Sequence, residues 1–133
     1  MSAAVWAAAE ALVGARFRLQ GRDAVTGLDC VGVIVAAYAA AGVRLAALDD
    51  YPLRGVSLRR AEAAVEAAGL RRVRGRIVMG DVGLFALPGR QLHLALQAPG
   101  RIIHADAGMR RVASAPANRL PEAASRWRWL GED

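Results

Sequence analysis

The 133-residue chain has a single cysteine, Cys30, and contains no lysine. One thiol excludes a disulfide within the chain and any metal site built from several cysteines. No apolar run is long enough to predict a transmembrane helix, since the stretch after Cys30 ends at Gly42. The N-terminal segment is apolar but has no basic residue before Arg16, which is not typical of a secretory signal. We therefore expect a protein that is made in the cytoplasm without an evident signal peptide.

Aromatic residues make up only 5% of the chain, whereas hydrophobic residues of all kinds make up 55%. This content argues against disorder and, at this length, predicts one compact domain over residues 1–133. All 18 basic residues are arginines, and the formal net charge is +6. A basic surface favours an anionic partner, such as nucleic acid, anionic lipid or a wall polymer. Because no nucleic-acid motif accompanies the charge, we expect no nucleic-acid partner.

The first half of the chain predicts helices that end at glycines. Alanine is a strong helix former, and Asp29 and Ser57 are natural N-caps for the second and third segments. The three predicted helices are residues 3–13, 30–41 and 58–68, which end before Gly14, Gly42 and Gly69. The two predicted loops are residues 15–29 and 43–56.

After Gly69 the pattern changes to short segments of strand type, separated by glycine and proline. The predicted strands are residues 70–78, 81–87, 91–97, 101–107, 109–113 and 126–130, with Pro121 opening a short turn or helix. We expect these strands to form an antiparallel meander. Helices first and strands afterwards predict an α+β fold.

The two histidines of the chain, His93 and His104, lie in two strands joined by Pro99-Gly100, the signal of a type II turn. A hairpin centred on this turn pairs residues whose numbers sum to 199, so that His104 faces Ala95 and lies diagonal to His93. A register summing to 197 places the histidines directly opposite each other. In both registers the histidines share one face with Asp106, and the leucines point the other way.

A thiol near two imidazoles suits nucleophilic catalysis, in which a base activates the nucleophile and a third polar group orients the base. At a helix N-terminus the pKa of Cys30 is expected to fall, and first-turn N–H groups could stabilise an oxyanion. Gly32 is expected to leave the helix surface open beside the sulfur. Two other readings stay open: Cys30 is a buried bystander, or Cys30, His93 and His104 bind a catalytic zinc. We rank the zinc site lower because no acid is placed as a general base, and we expect no cofactor.

Five segments of the chain resemble, in order, the motifs of the NlpC family of papain-like cysteine endopeptidases, which cut peptidoglycan stem peptides. The matched region runs from about residue 6 to residue 112. The motifs are GARFRLQG at 14–21, DCVGV at 29–33, GDVGLF at 80–85, HLAL at 93–96 and IHA at 103–105. The form GRD…TGLDCVG is similar to a short single-domain branch found with phages and gene transfer agents.

The resemblance implies that Cys30 is the nucleophile, His93 the base and His104 the third polar residue. It also implies a papain-like NlpC fold, in which N-terminal helices, one of them carrying the nucleophile, pack on an antiparallel β-sheet. The implied reaction is hydrolysis of a stem-peptide amide, commonly the γ-D-glutamyl–diaminopimelate bond. The implied partners are peptidoglycan and, from the short branch, phage-tail or gene-transfer-agent baseplate proteins. The protein would then act on the cell wall, and the short branch implies association with a particle.

Three residues depart from the family pattern. Phe17 stands where many members have a tyrosine, Val31 replaces the serine after the nucleophile, and Ala95 replaces a glycine. These changes bear on substrate fit and rate. Two other functions stay open: an amidase or acyltransferase with the same triad, and a non-catalytic tail component that retains the fold. Asp106 competes with His104 for the third catalytic role.

Overall fold

The structure of the protein is a computed structural model, which describes residues 2–131. In this part of the chain there are three α-helices: α1 (Ser2–Leu12), α2 (Cys30–Ala40) and α3 (Leu58–Ala67). The strands are β1 (Arg22–Asp23), β2 (Gly27–Leu28), β3 (Arg71–Val73), β4 (Asp81–Leu87), β5 (Gln91–Ala98), β6 (Arg101–Asp106), β7 (Arg111–Pro116) and β8 (Ser125–Arg128). Two short 3₁₀ helices span Ala46–Leu48 and Ala117–Arg119. No helix among the described residues is both long and apolar enough to cross a membrane.

The predicted helices are confirmed to within one residue at each end. Asp29 caps α2 by accepting a hydrogen bond from the N–H of Gly32 at 2.8 Å, and Ser57 caps α3 through the N–H of Arg60. Their caps satisfy N–H groups that no residue inside the helix can reach. Gly69, just beyond α3, has a φ of +110°, a left-handed conformation that favours glycine.

The main sheet has the strand order β3-β8-β4-β5-β6-β7, and all its pairs are antiparallel. The predicted meander is confirmed for the run from β4 to β7. It is wrong for the C-terminal strand, because β8 inserts between β3 and β4. The prediction of an irregular loop over residues 15–29 is also wrong in part, since this segment contains the small hairpin of β1 and β2.

Three predicted element boundaries are wrong, each for a local reason. The strand predicted at 70–78 ends at Val73, because the carbonyl oxygens of Gly75 and Arg76 bind the side chain of Arg126 instead of a neighbouring strand. The strand predicted at 109–113 begins only at Arg111, because Asp106 caps the preceding turn.

The short turn or helix that was predicted to open at Pro121 ends before it, at Arg119. Proline disfavours the helical conformation at the residue before it. Accordingly, Leu120 is extended, with φ −114° and ψ 157°.

The hairpin of β5 and β6 has the register that sums to 199: Leu96 pairs with Ile103 and Ala98 with Arg101. Gly100 has a φ of +77°, as the third position of a type II turn requires. The register that sums to 197 is therefore excluded. Pairing between the two strands stops at Leu96 and Ile103, although β5 extends back to Gln91 and β6 forward to Asp106.

The two faces of the sheet are both covered. The leucine side of β5 packs with α1 and α2 in the main core, as the alternation predicts. The opposite side carries His93 and His104, and we call it the histidine face. It also holds a second apolar cluster that the sequence did not indicate, made of Phe85, Ala95, Ile102 and Ala115.

Asp81, in the GDVGLF motif, is fully buried and binds two arginines of β8. Its carboxylate accepts hydrogen bonds from Arg128 Nε at 2.7 Å, from Arg126 Nε at 3.2 Å and from the N–H of Val78 at 2.9 Å. These contacts fasten the C-terminal strand to the start of β4. The motif thus has a structural role in this chain.

Replacing Asp81 by alanine is expected to lower the free energy of unfolding by about 3–5 kcal/mol, because it leaves partly buried guanidinium groups unpaired. Urea denaturation measures this change. Asp49→Ala is the matched control, since Asp49 pairs with Arg44, whose side chain is 80% exposed. That control should cost less than about 1 kcal/mol. Equal effects of the two variants would contradict the structural role of Asp81.

Candidate active site

The two histidines meet on the histidine face. His93 Nε2 lies 2.7 Å from His104 Nδ1, and the rings are nearly perpendicular, with an interplanar angle of 81°. His104 is buried, with 4% of its surface exposed, whereas His93 is partly exposed. The diagonal relation set by the hairpin register thus becomes a hydrogen bond between imidazoles. One of the two nitrogens carries the proton and donates the hydrogen bond, and the other accepts that hydrogen bond.

Cys30 is the first residue of α2, and the residue before it holds the surrounding loop together. The carboxylate of Asp29 accepts hydrogen bonds at 2.8 Å from the N–H of Gln20, from Arg22 Nη1 and from the N–H of Gly32. The predicted N-cap is confirmed. The roles of Gln20 and Arg22 were missed in the sequence analysis, although both lie in or beside the first matched motif.

Gly32 is needed for a close approach of two backbone segments. A Cβ at position 32 would lie 2.1 Å from the carbonyl oxygen of Gly21, a distance that no real contact allows. The prediction that Gly32 leaves open space beside the sulfur is therefore wrong, because the loop occupies that space. The glycine instead lets the first turn of α2 lie directly on the loop that contains Gly21.

The thiol of Cys30 lies against β5, where it contacts the backbone N–H of Leu94. Burial, with a smaller effect of the nearby carboxylate of Asp29, raises the pKa of Cys30 to about 11. The backbone N–H groups of Leu94 and Val31 oppose this increase, because they stabilise the thiolate. Since Leu94 directly follows His93, this contact brings the thiol to the strand of the histidine, where β5 is no longer paired with β6.

The expected low pKa of Cys30 is wrong for the free protein. Burial disfavours the charged thiolate more strongly than the helix N-terminus favours it. Burial and the neighbouring His104 also lower the pKa of His93 to about 4, against a smaller opposite effect of Asp106. At neutral pH the resting site therefore contains a neutral thiol and a neutral imidazole, which is free to accept a proton.

Asp106 does not take the third position in this geometry. Its Oδ1 accepts hydrogen bonds from the N–H groups of Gly108 and Met109, and its Oδ2 lies 3.6 Å from Arg119. His104 makes the direct contact with His93. Asp106 acts on the histidines through its charge, which opposes the lowering of both pKa values by burial.

The alternative of a zinc site is not supported in residues 2–131. No three His, Cys, Asp or Glu side chains of these residues lie close enough together to hold a metal ion. The three departures from the family pattern are packing residues. Val31 and Ala95 are buried, and Phe17 packs against the main core. None of these side chains offers a polar group to the site.

Alkylation of Cys30 by iodoacetamide is expected to be slow at pH 7 and to rise with a midpoint near pH 11. An ordinary thiol has its midpoint at about pH 8.5, so the urea-unfolded protein is the matched control. Mass spectrometry of quenched samples gives the rate at each pH. A folded-state midpoint at or below that of the unfolded chain would contradict the neutral resting pair.

The fold matches solved structures of NlpC/p60 domains. The NlpC/p60 domain of the peptidoglycan hydrolase SagA aligns with a TM-score of 0.66 and 23% identity over 96% of both chains. NlpC2 from Trichomonas vaginalis gives a TM-score of 0.72 and 15% identity over 96% of this chain and 46% of the other. The P60 domain of an antigen from M. avium subspecies paratuberculosis aligns with a TM-score of 0.62 and 19% identity. The alignment covers 99% of this chain and 96% of the other.

The chain therefore has the NlpC/p60 fold, as its motifs predicted. No protein-family model matches the sequence, and a search of curated proteins finds no match.

Proposed function

We propose that the protein is a cysteine peptidase that hydrolyses an amide bond of peptidoglycan stem peptides, of the γ-D-glutamyl–diaminopimelate type. The observation that carries this proposal is the 2.7 Å contact of His93 Nε2 with His104 Nδ1, on the strand that contacts the thiol of Cys30. The five ordered motifs and the fold shared with a peptidoglycan hydrolase domain support the substrate class.

The tautomers of the two histidines follow from the reaction. For His93 to act as a base through Nδ1, its proton must be on Nε2. His93 Nε2 then donates to His104 Nδ1, and His104 carries its own proton on Nε2. His104 thereby holds both the tautomer and the ring orientation of the base.

In the first half of the reaction, the Cys30 thiol gives its proton to His93 Nδ1 while the sulfur attacks the carbonyl carbon. Because the resting pair is neutral, proton transfer accompanies the attack and does not precede it. The N–H of Gly32 is bonded to Asp29, so we assign the developing oxyanion to the backbone N–H of Cys30 at the start of α2. The C–N bond then breaks, the amine leaves with the proton of His93, and a thioester remains.

In the second half, a water molecule gives a proton to His93 and attacks the thioester carbon. The C–S bond breaks, the sulfur takes the proton back, and the carboxylic acid product leaves. His93 serves as base and then as acid in both halves. Its lowered pKa keeps it in the free-base form at neutral pH.

Digestion of purified peptidoglycan, followed by mass spectrometry of the soluble products, tests the proposal. Hydrolysis of the proposed bond should give fragments that end in a free glutamyl γ-carboxyl group and fragments with a new diaminopimelate amino group. Transfer of the acyl group to an added amine would indicate the acyltransferase alternative. Unchanged peptidoglycan of the diaminopimelate type would contradict peptidase function and favour the non-catalytic alternative.

The association with phage-tail or gene-transfer-agent baseplate proteins stays a prediction from the sequence resemblance. We propose that such a particle delivers the protein to the cell wall. Proteomic analysis of purified particles from a producing strain tests this, with the protein expected at a fixed ratio to tail proteins. Its absence from the particles would contradict this mode of delivery.

A further inference from the structure

Arg16 and Arg111 lie directly opposite each other on the histidine face. They form an antiparallel bridge, flanked by hydrogen bonds from the N–H of Phe17 to the oxygen of Arg110 and from the N–H of Val112 to the oxygen of Ala15. In this kind of pair the two central residues are not hydrogen-bonded to each other, and their side chains approach most closely. Two like charges in this position are destabilising.

Neither arginine has an acidic side chain to balance it in residues 2–131, and both are exposed. The acid nearest in the register is Asp106, which pairs with Arg111 across β6 and β7. Its carboxylate accepts hydrogen bonds from the N–H groups of the turn that follows it and forms an ion pair with Arg119. The sheet therefore presents two adjacent, exposed positive charges that no acidic side chain of residues 2–131 neutralises.

The register places this arginine pair close to the histidines. His104 pairs with Ala113 on β7, and Arg111 lies two residues earlier on the same face. Arg16 lies beside Arg111, in the segment that bridges to β7. His93 contacts His104, and Asp106, Arg111 and Arg16 lie on the same face of the sheet. The two guanidinium groups therefore share the face that carries the proposed base.

We propose that Arg16 and Arg111 together bind a carboxylate of the substrate, an inference that rests on the proposed function. A glutamyl residue linked through its γ-carbonyl keeps its α-carboxylate free, and that carboxylate carbon is separated from the reacting carbonyl carbon by the Cα, Cβ and Cγ atoms of the same residue. Guanidinium groups bind carboxylates through paired N–H donors, and a shared anion removes the repulsion between the arginines. The pair selects substrates in which this carboxylate is free over those in which it is amidated.

Two synthetic stem peptides test the assignment, one with the free glutamyl α-carboxylate and one with the α-carboxamide. Arg16→Gln and Arg111→Gln are each expected to lower kcat/KM on the free acid by about tenfold, mainly through KM. The double variant should lose at most about a further twofold, because both arginines hold the same group. On the amidated peptide the variants should equal the unmodified protein. Arg59→Gln, on the exposed side of α3, is the matched control and should leave both peptides unaffected.

Two further measurements separate this inference from the proposed function. Calorimetric binding of both peptides to the Cys30→Ala protein reports the carboxylate preference without turnover, and this preference should vanish with Arg16→Gln and Arg111→Gln. The melting temperature of these variants should not fall, because each removes a repulsive neighbour. Equal losses on acid and amide peptides, additive losses, or an unchanged preference would overturn the carboxylate site. Failure to cleave either peptide with an intact binding preference would instead overturn the peptidase.

Discussion

Cys30→Ala is expected to abolish hydrolysis, with a loss of about 10⁴-fold or more, because no other side chain of the site can form the thioester. The measurement is the rate at which soluble fragments are released from peptidoglycan. The fold should be retained, since the change removes a single sulfur atom from a partly exposed position. The melting temperature should therefore stay within a few degrees of the unmodified protein.

Alkylation of the unmodified protein provides an independent check. Modification of Cys30 at high pH, followed by return to neutral pH, should remove activity in proportion to the fraction of thiol modified. Retention of full activity in either the Cys30→Ala variant or the alkylated protein would disprove the thiol mechanism.

Substitutions of the two histidines are expected to have unequal effects. His93→Gln should lose about 10²–10⁴-fold in activity, because an amide cannot take the thiol proton at neutral pH. His104→Asn or His104→Gln should keep measurable turnover, because an amide oxygen can still accept the hydrogen bond from His93 Nε2. The measurement is kcat on the same substrate for all variants.

His104→Leu is the matched control for the orienting role, since leucine fills the buried position but accepts no hydrogen bond. It should be markedly less active than His104→Asn. Asp106→Ala should be milder than His104→Ala, because the carboxylate serves the turn and not the base. Equal losses for Asp106→Ala and His104→Ala would mean that the orienting role is shared. Full activity of His104→Ala would remove His104 from the mechanism.

Those parts of the fold that short-range rules determine could be predicted from the sequence. Asp29 and Ser57 cap helices where predicted, and Pro99-Gly100 sets the hairpin register that brings His93 and His104 together. The position of β8 could not be predicted. Its pairing with β3 and β4 depends on Asp81 reaching Arg126 and Arg128, more than 40 residues away along the chain.

The pKa of Cys30 could not be predicted from the sequence either. A cysteine at a helix start indicates a stabilised thiolate, and that local rule holds only while the sulfur is hydrated. In the folded protein Cys30 packs against the main core, and the cost of desolvating its thiolate dominates. Burial of this kind depends on how α2 and β5 come together, and not on the residues next to Cys30.

The incomplete pairing of β5 with β6 has a consequence for attempts to engineer this protein. A regular ladder would continue from Leu96 and Ile103 towards His93 and Asp106, and it would add backbone hydrogen bonds. It would also occupy the N–H of Leu94, which contacts the thiol of Cys30, and keep the proposed nucleophile and the proposed base on opposite sides of the sheet. Selection for thermal tolerance alone would favour variants in which β5 and β6 pair along this whole stretch. We therefore expect variants with continuous pairing of β5 and β6 to be more stable and to lose the proposed activity.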